Sequence, residues 1–307
     1  MNRRDILLAT VVAAVWGLNF VVIEVGLREL PPLLFVALRF TLVAFPAVLF
    51  VRRPTVPARL VILIGFFLGV GQFGLLFVGM DLGVPAGLAS LVLQCQAMFT
   101  LGLAALILRE RPTALQVAGC AVAFAGIALI ATGRAARVSL AGLALCIAAA
   151  ASWGASNVTT RIARPPDALA LLVWASLVPP LPLLGLSLAF EGPDEIAGAV
   201  GGIGPQGVFA VLYVVVLATL FGFGTWTSLL RRHPAGVVAP FSLLVPVFGL
   251  LSAALLLGEQ PNAAELAGAA VVLAGLVLTN LRRPRPSPSP HRPASAPPQA
   301  HPRPARA

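Results

Sequence analysis

Residues 85–130 have the sequence PAGLASLVLQCQAMFTLGLAALILRERPTALQVAGCAVAFAGIALI, and residues 234–279 have the sequence PAGVVAPFSLLVPVFGLLSAALLLGEQPNAAELAGAAVVLAGLVLT. Laid over each other without a gap, at an offset of 149 residues, they are identical at 19 of 46 positions. Composition alone inflates the matches of Ala and Leu. The coincident Pro-Ala-Gly triplet, Glu, second Pro and two Gly residues, however, are improbable by chance. The match therefore indicates an internal duplication.

A second, shorter match links the two halves of the chain at a different offset. The dipeptide Trp-Gly at 16–17 recurs at 153–154, which is a shift of 137 residues. A difference in loop length between the halves explains the change of offset. The sequence therefore predicts two homologous units, a first repeat over 1–136 and a second repeat over 137–281.

The composition places these repeats in a membrane. Of the 307 residues, 59% are hydrophobic and 10% are charged, whereas soluble domains are about 45–50% apolar and about 25% charged. A chain this apolar needs lipid as its solvent, and only helices and closed barrels can span lipid. The apolar runs are about 20 residues long and do not alternate with polar residues, which favours helices over a barrel.

Charged and proline-containing breaks divide the apolar sequence into ten predicted spans. Each half then contains five helices, an odd number, so the second half enters the membrane inverted relative to the first. We predict an all-α integral membrane protein of about ten transmembrane helices in two inverted five-helix repeats. In secondary transporters this architecture places the substrate near the bilayer midplane. The predicted spans lie near residues 6–26, 32–51, 60–80, 85–108, 113–132, 140–161, 168–190, 205–229, 235–257 and 262–281.

The distribution of arginine predicts the orientation. With the N-terminus in the cytoplasm, Arg28, Arg134 and Arg137 fall outside, and Arg39 lies within a span. The remaining arginines then lie in cytoplasmic segments, as the positive-inside rule requires. Both termini are therefore predicted to be cytoplasmic. The cytoplasmic arginines before the C-terminal tail are Arg3, Arg4, Arg52, Arg53, Arg59, Arg109, Arg111, Arg161, Arg164, Arg231 and Arg232.

The formal net charge of +10 does not indicate binding to nucleic acid. All 21 basic residues are arginine, and they lie mostly in short loops and in the tail over 282–307. This tail is composed mainly of Pro, Arg, Ser and Ala, which cannot bury apolar surface, so we predict a disordered cytoplasmic tail. The expected partners are membrane lipid and a small-molecule substrate. The oligomeric state does not follow from the sequence.

The sequence offers little for catalysis. A P-loop needs Lys, and the chain contains none, so transport energy would come from a gradient or from exchange. Cys95, Cys120 and Cys146 lie in apolar runs without metal-ligand spacing, and we expect neither a metal nor a cofactor. A membrane enzyme would need a nucleophile–base pair or a metal cluster, and a receptor would need a soluble sensing domain. We therefore expect a transporter rather than an enzyme or a receptor.

Several segments follow the pattern of a known family: WGLNF at 16–20, LRF at 38–40, PAGLAS at 85–90, LVLQCQA at 91–97, SLLVP at 242–246 and AALLL at 253–257. They resemble the EamA-type drug/metabolite transporter superfamily over about residues 1–281, and in particular its exporters of O-acetylserine and cysteine. The resemblance implies two EamA domains in the bacterial inner membrane and efflux of cysteine, O-acetylserine or a related amino acid. The alternative is a multidrug or other amino-acid exporter. Glu24 is a departure, since the pattern carries Lys there.

Arg39 is the clearest ionisable residue within a predicted span, and such residues are usually functional. Two interpretations are open. Glu24 lies near the outer end of the first span, and a short loop makes the first two spans antiparallel neighbours, so Arg39 and Glu24 could form a structural ion pair. Alternatively, Arg39 faces the substrate, and its paired donors would suit a carboxylate.

Two equivalent helix faces carry aromatic and polar side chains. Spacing by three, four and seven residues places each set on one side of its helix. Because both halves carry the pattern, we expect these faces to line a cavity, although hydrogen bonding between helices is the alternative. The residues are Trp16, Asn19, Phe20 and Ile23 in the first span, and Trp153, Ser156, Asn157 and Thr160 in the sixth.

Five further residues are cavity candidates. Gln94 and Gln96 lie in the fourth span about 200° apart, so we expect one of them to bind a neighbouring helix instead. Gln72 lies within a glycine-rich part of the third span. Trp174 could line a cavity or anchor the helix at the membrane interface. Pro246 lies near the middle of the ninth span, where a kink could be a hinge or merely static.

Overall fold

The computed structural model describes residues 1–134 and 139–280, and within them the secondary structure is helical, without strands. Seven helices are long and apolar enough to cross a membrane, and three further apolar helices are shorter. This confirms the predicted all-α membrane fold. The helices are α1 Arg3–Leu27, α2 Pro32–Phe50, α3 Ala58–Asp81, α4 Ala86–Ile107, α5 Ala114–Arg134, α6 Leu140–Ala163, α7 Ala168–Phe190, α8 Pro205–Arg232, α9 Pro240–Leu256 and α10 Ala263–Asn280.

One short helix lies outside the predicted spans. This helix, Pro193–Gly202, connects α7 to α8, and its ten residues are too few to span a bilayer. It begins after Gly192, whose φ of 89° favours glycine. The predicted boundary between repeats at 136/137 and the predicted tail over 282–307 lie outside the described residues.

The duplication extends to the irregular parts of the helices. In α3, the α-helical segment Ala58–Gly65 is followed by a π-helical segment, Phe66–Gly74. In α8, Pro205–Leu212 is followed by the π-helical segment Tyr213–Phe221, with the same lengths of eight and nine residues. Wide turns of this kind are rare and frequent at functional sites. Their equivalent placement at an offset of 147 residues indicates that both repeats retain one local design.

Side chains from α1 and α6 satisfy carbonyl groups in these π-helical segments. Trp16 Nε1 donates a hydrogen bond to Ala218 O in α8, at 2.8 Å. Ser152 Oγ donates to Phe67 O in α3, also at 2.8 Å. Because lipid offers no hydrogen bonds, a carbonyl outside the regular helical pattern needs such a partner. Helices α1 and α6 are thereby fixed to the π-helical segment of the opposite repeat.

Helices α5 and α10 pack closely against each other through repeat-equivalent glycines. A Cβ added at Gly126 would lie 2.7 Å from Val272 N and 2.8 Å from Gly268 O. A Cβ added at Gly275 would lie 2.5 Å from Ala123 N. Because the neighbouring atoms are backbone, they cannot move aside as a flexible side chain would. The glycines thus permit backbone contact, which drives helix association where lipid removes the hydrophobic contribution.

We expect Gly126→Leu to lower the amount of folded protein, because the leucine would meet the α10 backbone. Overpacking of this kind costs about 1–3 kcal/mol or more. Gly102→Leu is the matched control, since a Cβ at Gly102 meets nothing within 4 Å. Membrane abundance and the thermal midpoint of the purified variants are the measurements. Equal values for both variants would contradict the close α5–α10 contact.

Candidate substrate cavity

A cavity of about 450 Å³ lies between the two repeats. Its lining residues come from α1–α4 of the first repeat and α6–α9 of the second. Small-molecule sites typically measure roughly 300–1,000 Å³, so the cavity can hold a metabolite of amino-acid size. Its walls are largely apolar and aromatic, with a few polar side chains placed among them. That mixture is typical of a site that binds one small ligand in a fixed orientation.

The structure brings many of the sequence-predicted candidates together around this cavity. They come from helices that are distant in sequence, so the tertiary fold assembles them. The predicted candidates that line the cavity are Trp16, Asn19, Phe20, Arg39, Gln72, Gln94, Gln96, Trp153, Ser156, Asn157 and Thr160.

Arg39 is the one charged side chain among the described residues that line the cavity. Only 2% of it is exposed. Its Nη2 donates to Thr219 Oγ1 at 2.9 Å, and its guanidinium carbon lies 3.8 Å from the ring centre of Phe73. The Thr219 hydroxyl in turn donates to Val214 O at 2.6 Å, within the π-helical segment of α8. Within the described chain, Arg39 Nε and Nη1 have no hydrogen-bond acceptor. Arg39 is therefore a buried cation with two donor nitrogens that lack acceptors.

Of the two interpretations left open, the ion pair between Arg39 and Glu24 does not form, and Glu24 is not among the described residues that line the cavity. Glu24 Oε2 accepts a hydrogen bond from Ala86 N, at 3.2 Å, at the start of α4. The first N–H groups of a helix lack partners within the helix and carry partial positive charge, so they attract a carboxylate. Antiparallel neighbours allowed the pair, but the nearby end of α4 supplies the actual partner.

Three more candidates lie away from the cavity. Ile23 is fully buried in the apolar core, one turn beyond Phe20 towards the end of α1. Trp174 Nε1 donates to Val51 O at 3.0 Å, so this indole links α7 to the end of α2. Pro246 is buried in α9, while its neighbour Val245 lines the cavity. Since successive helical residues differ by about 100° in direction, one position is enough to change the face.

Gln94 and Gln96 both line the cavity, contrary to the expectation that one would turn away. Gln94 Nε2 donates to Ser242 O in α9 at 2.9 Å, and Gln96 Oε1 accepts from Asn157 Nδ2 in α6 at 2.7 Å. Helix α4 is 3₁₀ rather than α over Leu93–Cys95. The angle assumed for a regular α-helix therefore does not apply between the two glutamines. Each amide also holds a helix of the second repeat.

Sequence reasoning missed Thr219 and also Phe223, which belongs to an aromatic cluster beside Trp16. The ring of Trp16 lies 5.2 Å from that of Phe223 and 5.3 Å from that of Trp226, and all three line the cavity. The offset of 147 residues between the π-helical segments places Thr219 on Gln72. That alignment could have indicated Thr219. Nothing in the sequence around Phe223 distinguishes it from lipid-facing phenylalanines.

Four glutamates hold the bundle together at one end, which we call the carboxylate end and define by Glu24, Glu29, Glu191 and Glu259. Each accepts hydrogen bonds from backbone N–H groups at the start of another helix, namely α2, α4 or α8. The contacts are Glu24 Oε2 with Ala86 N, Glu29 Oε2 with Gly204 N and Gly207 N at 2.8 Å each, Glu191 with Leu33 N at 2.6 Å and Leu34 N at 3.2 Å, and Glu259 Oε2 with Gly87 N at 3.3 Å.

The cavity extends towards the opposite end of the bundle, which we call the arginine end and define by Arg59, Arg161 and Arg232. Its lining there includes Ala168, the first residue of α7, and Leu230 near the end of α8. The helices are thus held together at the carboxylate end and separated by the cavity towards the arginine end.

The ion pairs at the arginine end include arginines with exposed side chains. Arg161 pairs with Glu110 at 2.5 Å, and their side chains are 49% and 45% exposed. Asp5 of α1 contacts Arg232 at 3.0 Å and His233 at 2.8 Å, beyond the end of α8. Among the residues that the structure describes, no three His, Cys, Asp or Glu side chains cluster as a metal site would require.

Two inverted helical repeats with a central cavity define a membrane transporter. The EamA-like transporter family model matches residues 3–132 and again 140–281. The chain therefore belongs to the EamA-like transporter family, which confirms the family predicted from the sequence.

Several named relatives match most of the chain. A probable amino-acid metabolite efflux pump of Salmonella typhimurium is 45% identical over 284 residues, 91% of this chain and 95% of that protein. The protein of the same name in Escherichia coli is 41% identical over the same shares. A probable terminal-alkyne amino-acid exporter of Streptantibioticus cattleyicolor is 31% identical, over 87% of this chain and 90% of its own.

A solved crystal structure of a chain with 22% sequence identity has the same fold. It superposes with a TM-score of 0.61, over 88% of this chain and 94% of its own. At this level of identity the likeness supports the arrangement of the helices and leaves the ligand open.

We expect Thr219→Val to destabilise the protein by about 1.5–3 kcal/mol, because it removes the hydrogen bond to a buried charged group. Valine keeps the shape of threonine but cannot accept a bond from Arg39. Thr227→Val, at another cavity position in α8, is the matched control and should stay near wild type. The thermal midpoints of the purified variants measure the difference. Equal midpoints would show that Thr219 does not hold Arg39.

Proposed function

We propose that the protein exports a small amino-acid-like metabolite, cysteine, O-acetylserine or a related amino acid, across the bacterial inner membrane by alternating access. The names of the two relatives above 40% identity support amino-acid metabolites as cargo. Secondary-active transport or exchange drives it, since the chain has no P-loop lysine. The cavity between the repeats is the proposed substrate site.

The observation that carries this proposal is the buried guanidinium of Arg39. A cation in an apolar surrounding is costly unless it is paired, and within the described chain no carboxylate reaches this one. Its Nε and Nη1 both lack acceptors, and a guanidinium binds a carboxylate through charge-assisted hydrogen bonds. A substrate carboxylate would supply the missing charge and an acceptor. Arg39 is thus the proposed carboxylate-binding residue.

The orientation of the chain suits export. The arginine distribution favours cytoplasmic termini, which places the arginine end at the cytoplasm and the carboxylate end outside. The cavity extends to the arginine end, through Ala168 and Leu230. In this conformation the site would load from the cytoplasm, where an exporter collects its substrate.

A second candidate is export of larger or more apolar compounds, including drugs or other amino acids. The aromatic cluster of Trp16, Phe223 and Trp226 favours it, because such a wall would accept an apolar side chain. Efflux measured for cysteine, O-acetylserine, aromatic amino acids and an apolar cation separates the two candidates. Efflux of the cation alone would contradict the amino-acid proposal.

Arg39 variants test the proposed function directly. We expect Arg39→Leu to abolish amino-acid efflux per molecule of inserted protein, because the cavity loses its cation. Arg39→Lys keeps the charge but not the paired donors, so the apparent affinity should fall roughly tenfold or more. Arg28→Leu, at an exposed arginine outside the cavity, is the control and should transport normally.

Efflux is measured in proteoliposomes at matched protein content. Full transport by Arg39→Leu would contradict the proposal and leave Arg39 as a structural residue. If Arg39→Leu fails to insert, Arg39→Lys still decides, since a purely structural cation predicts unchanged affinity.

A further inference from the structure

Two buried amide oxygens on the cavity wall lack hydrogen-bond donors. Asn19 is 6% exposed and Gln72 is 2% exposed, and both line the same cavity as Arg39. Within the described residues, Asn19 Oδ1 and Gln72 Oε1 accept no hydrogen bond. Most buried polar atoms in proteins do have partners, so two unpaired acceptors in one cavity need an explanation.

The two oxygens complement Arg39 in charge and in hydrogen bonding. Arg39 offers unpaired donors, whereas Asn19 and Gln72 offer unpaired acceptors. Gln72 and Phe73, whose ring lies under the guanidinium, both line the same cavity as Arg39. A ligand that satisfies all of these groups must carry an anion at one point and a hydrogen-bond donor nearby.

We infer that Asn19 and Gln72 form an ammonium subsite beside Arg39, and that the site recognises the zwitterionic head of an α-amino acid. The lining residues of the described chain include no Asp or Glu. This matters because a carboxylate here would pair with Arg39 and compete with the substrate. Neutral amide oxygens can accept from an ammonium group and leave the guanidinium available. The inference rests on the proposed function.

The other cavity amides have their oxygen or nitrogen occupied and provide a control. Gln96 Oε1 already accepts from Asn157 Nδ2 and lies within 3.3 Å of Thr100 Oγ1. Gln96 therefore belongs to the link between α4 and α6. A substitution at Gln96 should change the affinity for all ligands by the same factor. A substitution at Gln72 should change the affinity only for ligands that carry the amino group.

The test compares cysteine with 3-mercaptopropionate, which lacks only the amino group. Binding to the purified full-length protein is measured by ligand-induced thermal stabilisation. We expect Gln72→Leu and Asn19→Leu to weaken cysteine binding about tenfold and to leave 3-mercaptopropionate within about twofold. Gln96→Leu should change both ligands by the same factor.

Each outcome has a separate meaning. Equal weakening of both ligands by Gln72→Leu and Asn19→Leu would overturn the ammonium subsite while preserving the carboxylate site. Wild-type protein that binds neither ligand, nor O-acetylserine and its des-amino analogue 3-acetoxypropanoate, would instead contradict the proposed function. A wild-type preference for the des-amino compounds would also overturn the subsite.

Discussion

In lipid, every backbone N–H and C=O group needs a partner within the protein, and the whole structure follows from this constraint. Regular helices satisfy most of these groups, but the N–H groups at helix starts have no partner within the helix. Trp16 and Ser152 supply donors to the π-helical segments, and glutamates supply acceptors to helix starts. These contacts connect one repeat with the other. The same requirement that keeps the backbone satisfied therefore also assembles the two halves around the cavity.

The Arg39 side chain, by contrast, keeps unpaired donors inside the protein, and the proposed substrate site depends on these donors. Its guanidinium has one hydroxyl partner, Thr219, and one aromatic neighbour, Phe73, while two of its nitrogens stay unpaired in the described chain. A protein selected for stability alone would pair or remove such a charge. The unpaired oxygens of Asn19 and Gln72 make the opposite departure in the same cavity. A ligand with both signs of charge would satisfy all of them, and this is why we favour an amino acid.

Because of the duplication, the π-helical segment and the close-packing glycines each occur once in each repeat. The π-helical segments Phe66–Gly74 and Tyr213–Phe221 are equal in length, yet one contributes Gln72 to the site and the other contributes Thr219. Divergence at equivalent positions has made the cavity asymmetric, as recognition of an asymmetric substrate requires. The contact between α5 and α10, outside the cavity, has kept equivalent glycines in both repeats. Symmetric packing would let the two halves exchange roles during alternating access.

The sequence by itself determined the helical membrane fold, the two repeats, the family and many of the cavity residues. These features can be predicted from the sequence because lipid requires apolar helices and because the duplication is visible as sequence identity between the two halves. Only the tertiary structure decided the partners of those residues. Glu24 lies near Arg39 in sequence but binds the start of α4, and Arg39 meets Thr219, 180 residues away. Hydrogen-bond partners depend on which helix ends and faces meet, and helical periodicity fixes a face without fixing its neighbour.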